Sequence, residues 1–125
     1  MAINLPVLNI SFIAEEDLSS YQYRFVALST TQNYVKAIDT TAEEVIGILQ
    51  NFPESGETAS VMVKGISKVV AAESLNANDI CDAEFISGTD SGKAIPVAEG
   101  GQRLCVVLIA ASAENKLASV LLKNC

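Results

Sequence analysis

The sequence predicts an all-β chain: a single compact β-barrel or β-sandwich built from two similar β-rich halves, with an extended N-terminal arm. Three observations carry this expectation. Short runs of alternating or β-branched apolar residues recur between polar turns about every ten residues. No long amphipathic helical pattern competes with them. The chain also resembles itself: Ala59-Ser60-Val61 followed by Lys64 returns 59 residues later as Ala118-Ser119-Val120 followed by Lys123, and Lys36-Ala37-Ile38 returns 57 residues later as Lys93-Ala94-Ile95. Residues 44–49 lie over 103–108 at the same offset of 59, so a two-residue insertion between Pro96 and Gly101 reconciles the two spacings. One β-rich unit is used twice, over residues 24–65 and 80–123.

Residues 1–20 form the arm and residues 21–125 the β domain. In the arm, Ile3, Leu5 and Val7 alternate, and Leu8, Ile10 and Phe12 alternate in the opposite phase, with Pro6 between the two sets. Proline donates no ladder hydrogen bond, which predicts an edge strand or an extended arm. Its apolar side chains pack either on their own domain or on a neighbouring subunit. Glu15-Glu16-Asp17 is a polar break with one helical turn into Leu18.

From Tyr21 the pattern is that of strands. Residues 24–28 and 34–38 pair as a hairpin across the polar turn 29–33. Thr41 and Glu44 fit a capping box, but the short β-branched run 45–49 suits a buried strand. After the turn 53–56, Ala59, Val61 and Val63 face one way and Thr58, Ser60, Met62 and Lys64 the other, the alternation of a half-buried antiparallel strand. Gly65 marks a bulge or bend before residues 66–70. Residues 72–79 link the halves, and the second half places strands at 80–86, 93–97, 104–109 and 117–123.

Composition narrows the function. At 125 residues with 50% apolar and 18% charged residues, the chain can bury a core without staples. A net charge of −7 and a pI near 4.4 disfavour nucleic acid and anionic membranes as partners. Cys81, Cys105 and Cys125 show no CxxC spacing and are expected to be free thiols. The N-terminus has neither a basic nor a continuous apolar region, and no run reaches the about 18 apolar residues of a membrane helix, which predicts cytoplasmic synthesis without Sec export.

Catalytic signatures are lacking. The chain has no histidine, which removes histidine bases and most zinc or iron sites. The stretch 88–93 resembles a phosphate loop but has three residues between its glycines and Ala94 where Ser or Thr would bind magnesium, so it reads as a tight strand connection. Asp79, Asp82 and Glu84 cluster without the glycine and closing glutamate of an EF-hand. Absence of tryptophan argues against carboxylate-pair glycosidase chemistry, and Cys81 as a nucleophile lacks a base. The expectation is a protein that is not an enzyme and uses no cofactor or metal.

Three stretches carry a resemblance: LPVLNISFIAEEDLSSYQYRFVAL, VIGILQNFPESGETASVMVKGISKVVAAESL and SGKAIPVAEGGQRL. Together they resemble the small capsid cement or decoration proteins of tailed bacteriophages, whose pattern has a similar arm, a VxGILQNxPxxGExASV segment, a GxxKVVA segment and a GKA segment before a glycine-containing turn. The usual second-half VxGIAL is Leu104-Cys105-Val106-Val107-Leu108 here, bulkier at two positions. The resemblance implies a structural virion protein that binds the outer surface of the head between major capsid subunits and stabilises the expanded shell. It further implies the major capsid protein and the chain itself as partners, in a homotrimer or a dimer. In that setting Ile3, Leu5, Val7, Ile10 and Phe12 are the candidate capsid or subunit interface, with the arm adding a strand to a capsid edge. The alternative is a β binding module, virion-displayed or free, that recognises a host-surface glycan or protein.

Overall fold

The computed structural model describes residues 4–38, 45–84, 91–97 and 103–122. These residues form nine strands and no helix: β1 (Leu5–Ala14), β2 (Phe25–Leu28), β3 (Tyr34–Ala37), β4 (Val45–Leu49), β5 (Thr58–Val70), β6 (Ile80–Ala83), β7 (Ala94–Pro96), β8 (Cys105–Ile109) and β9 (Leu117–Leu122). The chain is all-β, as its alternating runs predict. Ile3, the Thr41/Glu44 capping box, Lys123 and Cys125 lie outside the described residues.

The strands make one sheet in the order β1-β3-β2-β4-β5-β9-β8-β6-β7, and β1 pairs with β5 as well. That extra pairing closes β1, β3, β2, β4 and β5 into a ring, here called unit 1. Within it β1 runs antiparallel to β5 and parallel to β3. The end of β5 plays the same part for the second half. Residues 66–70 run antiparallel to β9, and Ala71 bridges Ala94 at the start of β7 in parallel. Unit 2 is therefore the ring of β7, β6, β8, β9 and the end of β5, and β5 has 13 residues because it serves both rings.

Backbone hydrogen bonds recur between the units. The Ala14 amide donates to the Glu57 carbonyl (2.9 Å) and the Ala71 amide to Lys116 (3.0 Å). The Leu18 and Leu75 amides donate to Pro53 and Ala111, and the Gly56 and Asn115 amides to Ala14 and Ala71. Gly56 and Asn115 both have positive φ, 84° and 68°, a region that glycine and asparagine enter at least cost. Leu18 and Leu75 are each fully buried. The sequence reading of residues 72–79 as a simple link is thus corrected, because Leu75 plugs unit 2 just as Leu18 plugs unit 1. Leu18 also follows bends rather than the helical turn expected of residues 15–18.

Two cores result. One fills unit 1 with Ala14, Leu18, Val26, Val35, Leu49, Ala59, Val61 and Val63. The other joins the interior of unit 2 (Val69, Leu75, Cys81, Val107, Val120) to the outer face of unit 1 (Phe25, Ala27, Ile48, Met62). Strands β2, β4 and β5 consequently bury both faces. This corrects the half-buried reading of residues 58–64: the alternation is present, but Met62 on the second face is 1% exposed because unit 2 covers it.

Candidate interaction surface

Strand β1 positions the candidate residues. The change of phase in its apolar pattern coincides with a bulge, since Pro6 lies opposite Gly65 and Leu8 opposite Lys64, leaving Val7 as the extra residue. A second shift follows at once, with Leu8 opposite Lys64 and Asn9 opposite Met62, which leaves Val63 as the extra residue on β5, so the irregularity expected at Gly65 falls on both strands beside it. Gly65 is required there. It has φ +119°, and a Cβ would lie 2.6 Å from the Leu5 carbonyl oxygen and 2.7 Å from the Val7 nitrogen. Gly65→Ala is expected to cost about 3 kcal/mol through strain and clash with β1. The corresponding fall in Tm is about 10 °C for a domain of this size, readable by circular dichroism.

The start of β1 is tied down by polar contacts. Asn4 Oδ1 accepts from the Lys68 amide (2.6 Å), and Asn4 Nδ2 donates to Gln50 Oε1 (3.3 Å). Gln50 Nε2 in turn donates to the buried Ser67 hydroxyl (2.9 Å). The backbone of the arm is therefore part of its own sheet over Leu5–Ala14.

Its side chains nevertheless stay exposed. Val7 is 75%, Leu5 58%, Leu8 46% and Ile10 38% exposed, and Phe12 is half-buried. Such an apolar strip is unusual on a soluble surface, which makes it the candidate interaction surface. Leu8, Ile10 and Phe12 line a groove of about 510 Å³ together with Val63 of the adjoining β5 and with Leu28, Val45 and Ile46. This groove is the mouth of unit 1, and among the described residues its lining has no charged side chain. The Ile13 amide donates to Asn33 on the β3 side and the Ala14 amide to Glu57 on the β5 side. By strand alternation the backbone groups of Asn9 and Ser11 face the β3 side, where β3 pairs only with Ile13 and Ala14. Among the described residues, this edge has no strand partner.

A second apolar row crosses the outside of the sheet. Leu5, Ile66, Leu121, Val106 and Ile80 are successive cross-strand partners on β1, β5, β9, β8 and β6. Paired residues share a face, so the row spans about 19 Å at strand spacing. Leu5, Val7, Ile10 and Phe12 were legible as candidates. Leu8, the rest of the groove lining and the outer row were not, because their proximity depends on register between distant strands.

The other sequence candidates have structural roles. Asp79 Oδ2 accepts from the Asn76 amide and Asp82 Oδ1 from the Ala83 amide. No three His, Cys, Asp or Glu side chains among the described residues converge as metal ligands would. Ser91, Gly92 and Lys93 are buried at the seam between the units, where the Gly92 carbonyl accepts from the Phe25 amide (2.7 Å) and Lys93 Nζ lies 3.6 Å from Glu114. Cys81 and Cys105 are buried free thiols, directly opposed on β6 and β8. Hydrogen bonding from Cys105 holds the Cys81 thiol below its ordinary value, and the same bond together with burial pushes Cys105 well above it.

The architecture defines a class: two small β rings fused through one shared strand, with an apolar mouth open at one end. Among solved structures, the head fiber gp8.5 N base in bacteriophage phi29 shares this fold, with a TM-score of 0.64 over 93% of this chain and 93% of that one. Identity is 16%, so the likeness is one of fold. No family model and no curated protein matches the sequence.

Proposed function

We propose that this chain is a structural protein of a phage virion that binds the outer surface of the head between major capsid subunits and stabilises the expanded shell, as a homotrimer. The observation that carries the reading is the exposed apolar strip of β1 on a fold shared, over nearly its full length, with the base of a phage head fibre. The strip is suited to contact because it is already ordered. Side chains held in a sheet lose little freedom on binding, and many copies per particle multiply a weak single contact. One edge of β1 is occupied by β5, so a partner strand would add to the opposite edge at Asn9 and Ser11 rather than capture a free arm.

The test is quantitative mass spectrometry of gradient-purified particles, counting this chain against the major capsid protein, with co-sedimentation of the purified chain on expanded shells. Near-equal copy numbers and saturable binding to expanded but not unexpanded shells are expected. Absence from particles overturns the reading. A second reading, a module for host-surface glycans or proteins, is favoured by Phe52, which is 64% exposed beside a hollow lined by Asn51, Pro53, Glu57 and Thr58. Saturable binding to cells that is lost in Phe52→Ala would support that module.

A further inference from the structure

The internal repeat shows what covers an open mouth in this fold. Phe25, Ile48 and Met62 are successive cross-strand partners on β2, β4 and β5 and form the outer face of unit 1. They are at most 1% exposed because they plug the interior of unit 2, packing with residues such as Val69, Cys105 and Leu122. The equivalent strands of unit 2 are β6, β8 and β9. Their pairing sets Val106 in the place of Ile48 and Val107 in that of Leu49, an offset of 58 that corrects the 59 read from the sequence for this strand, and the successive partners Ile80, Val106 and Leu121 form the equivalent outer face. Among the described residues that face plugs nothing: Leu121 is 41% exposed and the other two are half-buried. At the opposite end, the mouth of unit 1 around Ile10, Phe12 and Ile46 is equivalent to the mouth of unit 2 that unit 1 fills, and among the described residues it stands open. Each chain therefore carries one unused plug and one unused socket of a contact it already makes once internally.

We infer that copies of this chain associate head to tail, the outer face of unit 2 in one copy seating in the mouth of unit 1 in the next. Charge permits this contact. The chain carries a net charge of −7, which repels copies at most orientations, but among the described residues the socket lining has no charged side chain and the plug row is wholly apolar, with Asp82 at its border. Stacked repeats behave in the same way, leaving an uncovered face at each end that must be capped or occupied. A contact between two different surfaces is heterologous and closes into a ring, or grows, according to the rotation between copies. The inference stands on the repeat and does not need the virion reading, and its test uses the purified chain alone.

The experiment is sedimentation velocity of the wild type and of two single variants, Ile10→Glu in the socket and Leu121→Glu on the plug. Wild type is expected at a multiple of 13.2 kDa, and each variant at 13.2 kDa with its thermal melt retained, since both sites are exposed. Mixing the two variants is the decisive arm. Each keeps one intact surface, so a 1:1 pair of twice 13.2 kDa that grows no further is expected. A monomeric wild type, variants that keep the wild-type mass, or a mixture that stays monomeric overturns the proposal. Should either substitution unfold the chain, Leu8→Glu and Val106→Glu repeat the test at the same two surfaces.

Discussion

A chain lacking residues 2–13 should fail to fold cooperatively. The deletion removes nearly all of β1, which pairs with β5 from Leu5 to Ile13 and meets β3 at Ile13 and Ala14. Without that wall, the interior of unit 1 opens to water. Phe12 is lost, and Ala59, Val61 and Val63, now fully or nearly fully buried, lie uncovered on β5. Burial of each large apolar side chain contributes about 1.5–3 kcal/mol, so uncovering several is comparable to the about 5–15 kcal/mol that holds a domain folded. The free edge of β5 would also invite aggregation. A circular dichroism melt checks this, and a cooperative transition within about 5 °C of the intact chain would show that β1 is dispensable. Truncation is therefore a poor probe of binding.

The probe of binding is Leu5→Glu combined with Val7→Glu, for which a loss of about 100-fold in affinity for expanded shells is expected, with Tm within about 2 °C of wild type. These are the most exposed apolar side chains of β1, so water already surrounds them and charge there disturbs little internal packing. In a desolvated contact, each loses about 1.5 kcal/mol or more of apolar burial and adds a charge without a partner, and the two together reach the about 2.8 kcal/mol of a hundredfold change. Co-sedimentation over a range of protein concentrations reads the shift. Unchanged affinity in a folded variant would move the capsid contact away from this end of β1.

Local sequence was informative wherever structure is local. Residues 25–28, 34–37 and 45–49 are strands because their short β-branched and alternating runs end at polar turns, and Asn33 at φ 69° makes the turn between the first two. The exposed candidates Leu5, Val7 and Ile10 were visible because an apolar run interrupted by proline is poorly suited to a central strand. Leu18 and Leu75 escaped notice. Each is a single apolar residue in a polar stretch, and only the rings that close around them make them core.

The sequence by itself determined the strand periods, the acidic charge, the lack of histidine and the two runs spaced 57 to 59 residues apart, since these depend on composition and near neighbours. Only the tertiary structure decided that β5 serves two rings, that the arm is a wall of the first, and that Met62 and Phe25 are buried while their counterparts Leu121 and Ile80 face outward. The reason is that burial belongs to a pair of surfaces. The same alternating strand shows a core face or a binding face according to which distant segment covers it, and no local pattern encodes that cover.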